Sequence, residues 1–146
     1  MLRYCVGEGG DECPPAPSLI DYDFLRILLV SDDVHCAARL KRTLQTLGYS
    51  ETLVASSGKG ALDAVSSYSP VVAIVDLDLS DMTGYGLARS LRTHAELKVR
   101  RIPLIAVADR LEAATGKLAR AAGFLGVVPK PVSVWLLNRL LLNGLL

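Results

Sequence analysis

The sequence has few cysteines, almost no net charge and no long apolar run. Its 146 residues include three cysteines, and none of them forms a C-x-x-C pair. This excludes a disulfide framework and favours a reducing, cytoplasmic setting. A formal net charge of +1 gives no reason to expect a nucleic-acid partner. No apolar run reaches membrane-spanning length and no signal-peptide region opens the chain, so we expect no membrane partner.

What remains is the composition of a soluble globular protein, with 51% hydrophobic and 21% charged residues. The length fits one domain with a substantial core. The beginning of the chain differs from the rest, because it is rich in Gly, Pro and acidic residues (GEGGDECPPAPS). We therefore predict a flexible N-terminal extension over residues 1–24 and a single domain over residues 25–146.

Apolar segments that are typical of buried strands alternate with segments of helical periodicity. Each strand-helix-strand crossover of this kind is right-handed, which predicts an α/β fold with a doubly wound five-stranded parallel sheet and helices on both faces. The predicted strands are residues 26–30, 51–55, 71–75, 102–107 and 127–128. The helices are expected after Asp33, over 58–67 and 85–93, along Leu111, Ala114, Leu118 and Ala121, and over 134–142, with 94–101 a basic loop.

Three of the predicted strands end next to charged side chains, namely Asp32, Asp76 and Lys130. In the strand order 2-1-3-4-5 the first and third strands are neighbours at the topological switch point, so Asp32 and Asp76 face each other. Two adjacent carboxylates are stable together only if a cation or a shared proton lies between them, and Mg²⁺, which prefers oxygen ligands, is the most plausible cation. A lysine ammonium suits a phosphoryl oxygen. These residues predict a phosphate acceptor site; the alternative is that Asp76 only caps the next turn.

At these positions the chain resembles the receiver domain of bacterial two-component response regulators, which has the flavodoxin-like fold of the chemotaxis regulator. The resemblance covers residues 26–142. It depends on four motifs in the family's order, ILLVSDD, AIVDLDLSDMTG, IPLIAVAD and AGFLGVVPKPV. Each motif is short, and their order around five strand-helix units makes the resemblance specific.

The resemblance implies a role for each matching residue. Asp76 corresponds to the phosphoacceptor, and Lys130 to the lysine that binds the phosphoryl group. The Mg²⁺ ligands correspond to Asp32, Asp76 and the backbone carbonyl of Asp78. A sensor histidine kinase, a histidine phosphotransfer protein or a small acyl phosphate would be the phosphoryl donor, and the domain would act in phosphorelay signalling, not as an enzyme.

Several positions depart from the pattern of that family. Ser31 replaces the first acid of the metal site, Ala108 replaces the hydroxyl residue that binds the phosphoryl group, and Val127 replaces the aromatic residue that follows it. Asp33 and Asp109 are possible compensating acids, although Asp33 is expected to cap the first helix and Asp109 could point to solvent. We therefore expect acceptor chemistry without the usual switch, so that phosphorylation changes the last two helices little.

Two other functions compete with the phosphorelay receiver. The three replaced positions favour a pseudo-receiver, a protein interaction module that works without phosphorylation. The sequence D-L-D at Asp76 to Asp78 also resembles the nucleophile motif of haloacid-dehalogenase-type phosphatases, but the Gly-Thr that continues that motif is replaced by Leu79-Ser80. No output module follows Leu146, which favours a stand-alone receiver.

The last predicted helix contains more apolar residues than the sheet can cover. We expect Val134, Leu137 and Leu141 to pack on the sheet and leave Trp135, Leu136 and Leu140 partly or wholly outside. This predicts a homodimer, or another partner, on the last two helices. The alternative is that residues 19–25 fold back over this surface.

Overall fold

The sheet consists of five parallel strands in the order predicted. The computed structural model describes residues 25–145, so the predicted N-terminal extension and the proposed fold-back of residues 19–24 lie outside the described residues. The strands are β1 Arg26–Val30, β2 Glu51–Ala55, β3 Val72–Asp76, β4 Leu104–Ala108 and β5 Phe124–Pro129. Their order is β2-β1-β3-β4-β5, and every pairing is parallel.

Helices pack on both faces of the sheet, and several of them begin at a residue whose side chain caps the helix. Asp33, Ser57 and Thr83 each accept a backbone hydrogen bond at the N-terminus of the helix that follows, which satisfies amide groups that lack a partner within the helix. The helices are α1 Val34–Thr46, α2 Gly58–Tyr68, α3 Gly84–Arg92, α4 Leu97–Arg100, α5 Thr115–Ala122 and α6 Val134–Leu145. None of these described helices has the length and apolar character needed to cross a bilayer.

The core lies in two layers, one on each face of the sheet. Alternate residues of the central strands point to opposite faces, so that Ala73 and Val75 contact the layer under α2, α3 and α5. Val72 and Ile74 contact the layer under α1 and α6. All residues of β3 and β4 are buried, as expected for central parallel strands whose faces are both covered.

Two connections differ from the sequence-based expectation. The predicted basic loop over 94–101 contains α4, because Val99 is buried in the core and Lys98 Nζ donates to Ser66 O at 3.1 Å. The helix predicted along Leu111, Ala114, Leu118 and Ala121 begins only at Thr115, and its buried residues are Thr115 and Ala119. Leu118 is 53% exposed.

The last helix also differs in which side chains pack on the sheet. Leu137 and Leu141 are fully buried as predicted, and the Ser133 hydroxyl accepts a hydrogen bond from Leu136 N. The expectation that Val134 packs on the sheet is wrong, because its side chain lies at the first turn and is 47% exposed. Leu136 and Leu140 are half-buried against the core, and Trp135 is exposed.

Candidate functional site

Asp76 is a buried carboxylate at the carboxyl end of the central strand β3. It is 3% exposed. Its Oδ1 accepts a hydrogen bond from Asp78 N at 3.0 Å, which fixes the start of the loop between β3 and α3. Its Oδ2 accepts from Lys130 Nζ at 2.9 Å and from Ser31 Oγ at 3.3 Å. A buried carboxylate needs such partners, and one of them is the predicted lysine.

Lys130 follows β5 and reaches across β4 to Asp76. Its ammonium also lies 3.0 Å from Asp109 Oδ1, so that it contacts two carboxylates at once. Partial burial lowers the pKa of Lys130, but the hydrogen bonds from the ammonium to Asp76 and Asp109 outweigh it and raise the pKa above its ordinary value. Lys130 is therefore a fixed positive charge at neutral pH beside the predicted acceptor.

Ser31 occupies the position of the missing acid and joins the site through its hydroxyl. The side chain is buried, donates to Asp76 and accepts from Asp33 N at 3.2 Å. Asp33 itself caps α1 by accepting from His35 N and Cys36 N, as predicted. Both backbone donors lower the pKa of Asp33, and the Cys36 amide has the larger effect. Asp33 thus serves α1, and no hydrogen bond or ion pair shown for it involves Asp76 or Lys130.

Asp32 is held by the loop that follows β3. Its Oδ2 accepts from Ser80 N at 2.7 Å and from the Ser80 hydroxyl. The next residue of that loop, Asp81, accepts from Gly58 N and Lys59 N at 3.0 Å each. The loop is therefore attached both to the end of β1 and to the start of α2. Ser80 and Asp81 were not singled out from the sequence.

The carboxyl end of the sheet offers oxygen atoms that suit a Mg²⁺ ion. Asp32 and Asp76 supply carboxylates from neighbouring strands, and oxygen is the donor that Mg²⁺ prefers. Among residues 25–145, no three side chains of His, Cys, Asp or Glu gather in one group. The Asp78 side chain is exposed, and its residue forms a bridge to Thr83. A third protein ligand would therefore be a backbone carbonyl or a hydroxyl, as the resemblance implies for Asp78.

The two replaced switch positions lie beside the site without polar groups. Ala108 ends β4, is 4% exposed and accepts from Lys130 N through its carbonyl at 2.9 Å. Val127 is half-buried on β5 and packs against the core layer under α2, α3 and α5. Neither side chain can donate a hydrogen bond to a phosphoryl oxygen.

Known proteins with similar sequences belong to one family. Residues 27–141 match the response regulator receiver domain. The chain is 31% identical over 105 residues to the transcriptional regulatory protein KdpE of Mycobacterium tuberculosis, covering 72% of this chain and 44% of that protein. It is 28% identical to the polar-differentiation response regulator DivK of Brucella ovis over 108 residues, covering 74% of this chain and 85% of DivK.

Solved structures agree in fold. A response regulator from Chloroflexus aurantiacus superposes with a TM-score of 0.75 at 26% identity, covering 83% of this chain and 98% of that chain. Chemotaxis response regulator CheY4 of Vibrio cholerae shares the fold with a TM-score of 0.72 at 23% identity, covering 82% and 98%. The chain spans less than half of the length of KdpE. Receiver domains are signalling modules, and this chain belongs to the response regulator receiver domain family.

Proposed function

We propose that the chain accepts a phosphoryl group on Asp76 in a Mg²⁺-dependent reaction. The donor is a sensor histidine kinase or a histidine phosphotransfer protein. The single observation that carries this proposal is the buried Asp76 carboxylate with Lys130 Nζ 2.9 Å from its Oδ2. In the transfer, an Asp76 oxygen forms a bond to phosphorus while the bond from phosphorus to the donor nitrogen breaks and the imidazole leaves.

The residues around Asp76 are arranged to accept negative charge. Lys130 carries a fixed positive charge, and a cation placed before the reaction stabilises charge that develops on the transferred oxygens. The Asp78 amide holds the other Asp76 oxygen and so orients the carboxylate. Asp32, Asp76 and the Asp78 carbonyl would hold Mg²⁺, which when bound supplies further positive charge to the phosphoryl oxygens.

The test is intact mass after incubation with Mg²⁺ and acetyl phosphate, a small acyl phosphate that replaces the unidentified kinase. Wild-type protein should gain one phosphoryl group, and Asp76→Asn or addition of a chelator should prevent this. Asp63→Asn is a matched control because Asp63 is an exposed acid on α2. Unchanged incorporation in Asp76→Asn would show that another residue is the acceptor.

A second candidate function is a pseudo-receiver that binds partners without phosphorylation in the cytoplasm. It is favoured by Ser31, Ala108 and Val127, which remove a metal carboxylate, a phosphoryl-binding hydroxyl and a mobile ring. Under this alternative, wild-type protein gains no phosphoryl group in the same experiment, and partner binding is equal for wild type and Asp76→Asn.

A further inference from the structure

Lys130 binds a carboxylate that is not part of the acceptor site. Asp109 Oδ1 lies 3.0 Å from Lys130 Nζ, and the Asp109 side chain is 65% exposed. Asp76, in contrast, is nearly inaccessible. The two ion pairs of Lys130 therefore differ in character, with one buried partner and one that is largely hydrated.

This difference decides which contact can be given up. An ion pair with an exposed carboxylate contributes little, because water and salt solvate that carboxylate almost as well as the lysine does. A buried carboxylate that lost its cation would have no such replacement. When a new anion arrives at Asp76, the contact from Lys130 to Asp109 is the one that breaks at small cost.

We propose that Asp109 is a positioning residue that competes with the phosphoryl group for Lys130. In the unphosphorylated protein it shares the ammonium with Asp76, and on phosphorylation Lys130 moves to the phosphoryl oxygens and releases Asp109. The inference depends on the proposed acceptor function of Asp76.

The location of Asp109 links this exchange to the rest of the fold. It directly follows Ala108, the last residue of β4, and opens the loop of residues 109–114 that leads into α5. Every residue of that loop is exposed. The loop borders a cavity of about 480 Å³ whose lining includes Asp78, Tyr85, Asp109 and Glu112. Ala108 has no hydroxyl, so it cannot respond to a phosphoryl group. Asp109, the next residue, contacts the Lys130 ammonium and loses this contact when the ammonium moves.

The test compares Asp109→Asn with Glu112→Gln, which removes one negative charge from the same loop. Among the described residues, no ion pair joins Glu112 to Lys130. Asp109→Asn should strengthen binding of the phosphoryl mimic BeF₃⁻, measured by calorimetry with Mg²⁺, about two- to fivefold, the range for an exposed ion pair. Glu112→Gln should leave it near the wild-type value, and Asp109→Glu should restore it.

Amide exchange supplies a second readout, in which the BeF₃⁻ response of the wild type separates competition for Lys130 from a purely structural role. BeF₃⁻ should increase exchange in residues 109–114 of the wild type, and Asp109→Asn should show that faster exchange without BeF₃⁻. Equal BeF₃⁻ affinities for Asp109→Asn, Glu112→Gln and wild type, with unchanged loop exchange, would overturn the competition while leaving the acceptor function intact. A wild type that neither binds BeF₃⁻ nor gains a phosphoryl group would overturn the acceptor function and the competition together.

Discussion

Asp32 and Ser80 are joined by two hydrogen bonds to one carboxylate oxygen. The Ser80 amide donates at 2.7 Å and its hydroxyl donates to the same Oδ2. Asp32 is also one of the two carboxylates that would hold Mg²⁺. The loop after β3 therefore contacts one carboxylate oxygen of a proposed Mg²⁺ ligand, and an ion that binds this oxygen has to compete with Ser80 for it.

Ser80→Ala should strengthen Mg²⁺ binding by about three- to tenfold. The substitution removes the hydroxyl donor but keeps the backbone donor, so that part of the competition is lost. The gain is smaller than the roughly 1.5–3 kcal/mol of a hydrogen bond to a charged group, because Ser80 is exposed and water can replace its hydroxyl. Calorimetric titration of the metal-free protein measures the change.

Ser67→Ala is the matched control for this titration. The Ser67 hydroxyl is exposed and donates to Ala64 O within its own helix, so its removal should not alter the Mg²⁺ affinity. Equal Mg²⁺ binding by Ser80→Ala and Ser67→Ala would show that the Ser80 hydroxyl does not compete with the metal. Weaker binding by Ser80→Ala would show that this hydroxyl supports the metal-bound form.

Ser31→Asp should strengthen Mg²⁺ binding by about tenfold or more, because affinity for hard cations rises with the number of carboxylates. The metal-free protein should lose about 1–3 kcal/mol of unfolding free energy, since a second carboxylate replaces the hydroxyl donor 3.3 Å from buried Asp76. Calorimetry measures the affinity, and urea unfolding with and without Mg²⁺ measures the stability.

Ser31→Asn separates charge from size in this experiment. It has the shape of the Asp variant without the charge, and its Mg²⁺ affinity should stay near that of the wild type. If the Asn and Asp variants bound the metal equally, a negative charge at position 31 would not contribute to Mg²⁺ binding in this fold.

The contribution of Asp81 to the free energy of unfolding should depend on pH. The hydrogen bond from Gly58 N has the largest effect on the Asp81 carboxylate, followed by the one from Lys59 N, and together they lower the pKa of Asp81 below its ordinary value of 3.8. A lowered folded-state pKa means that the stabilisation is complete above the unfolded-state pKa and is lost as the pH falls through the folded-state pKa. Asp81→Asn should therefore be less stable than wild type at pH 7, with the difference shrinking below about pH 4.

Ser57→Ala provides the comparison, because Ser57 caps the same helix with a hydroxyl that does not titrate. It accepts from Gly60 N at 2.9 Å, and its removal should cost about 1 kcal/mol at every pH tested. Denaturant unfolding at pH 7, 5 and 3 distinguishes the two variants. A difference for Asp81→Asn that stayed constant from pH 7 to pH 3 would show that hydrogen-bond geometry, not charge, matters there.

The sequence predicted the sheet and most of the site because both depend on local patterns. Continuous apolar runs mark strands with two covered faces, and parallel strands bring their carboxyl ends to one edge, which placed Asp76 beside Lys130. The contacts of Ser80 and Asp81 depend on residues 48 and 22–23 positions away. No local pattern indicates such a partner.

The surface helices were harder to predict for a different reason. On α5 the buried positions are Thr115 and Ala119, whereas the larger Leu118 faces outward. A pattern of large apolar residues therefore indicated the wrong face. On α6, Val134 lies at the first turn and is 47% exposed, whereas Leu137 and Leu141 in the later turns are buried.

Phosphorylation should leave β5 and α6 largely unchanged. A hydroxyl at position 108 and a ring at position 127 would link the phosphoryl group to the last helix, and both are missing. Couplings between sites are typically about 1–3 kcal/mol, which is similar to one hydrogen bond to a charged group. Amide exchange with and without BeF₃⁻ should therefore change in residues 109–114 and little over residues 124–142.

The double variant Ala108→Thr with Val127→Tyr tests whether the missing hydroxyl and ring are the reason why β5 and α6 do not respond. It restores both missing groups and should extend the BeF₃⁻ response into β5 and α6. Strong protection of β5 in the wild type, before any substitution, would show that another route connects the acceptor to the last helix.

Self-association should occur through the exposed first turns of α6. Trp135 is 70% exposed and Val134 is 47% exposed, on a helix whose only charged side chain, Arg139, lies 5.4 Å from the Trp135 ring. An aromatic residue beside arginine is typical of the residues that dominate protein interfaces. Light scattering at about 100 μM, where dimers of micromolar affinity form, should show a dimer.

Trp135→Ala should weaken this dimer by about tenfold or more, the loss typical of a central aromatic contact. Leu97→Ala is the matched control, because Leu97 is 51% exposed but lies on α4, whose buried Val99 contacts the core layer on the other face of the sheet. Equal weakening by both substitutions would indicate nonspecific apolar association. A wild-type protein that stays monomeric at this concentration would show that α6 serves a different partner or none.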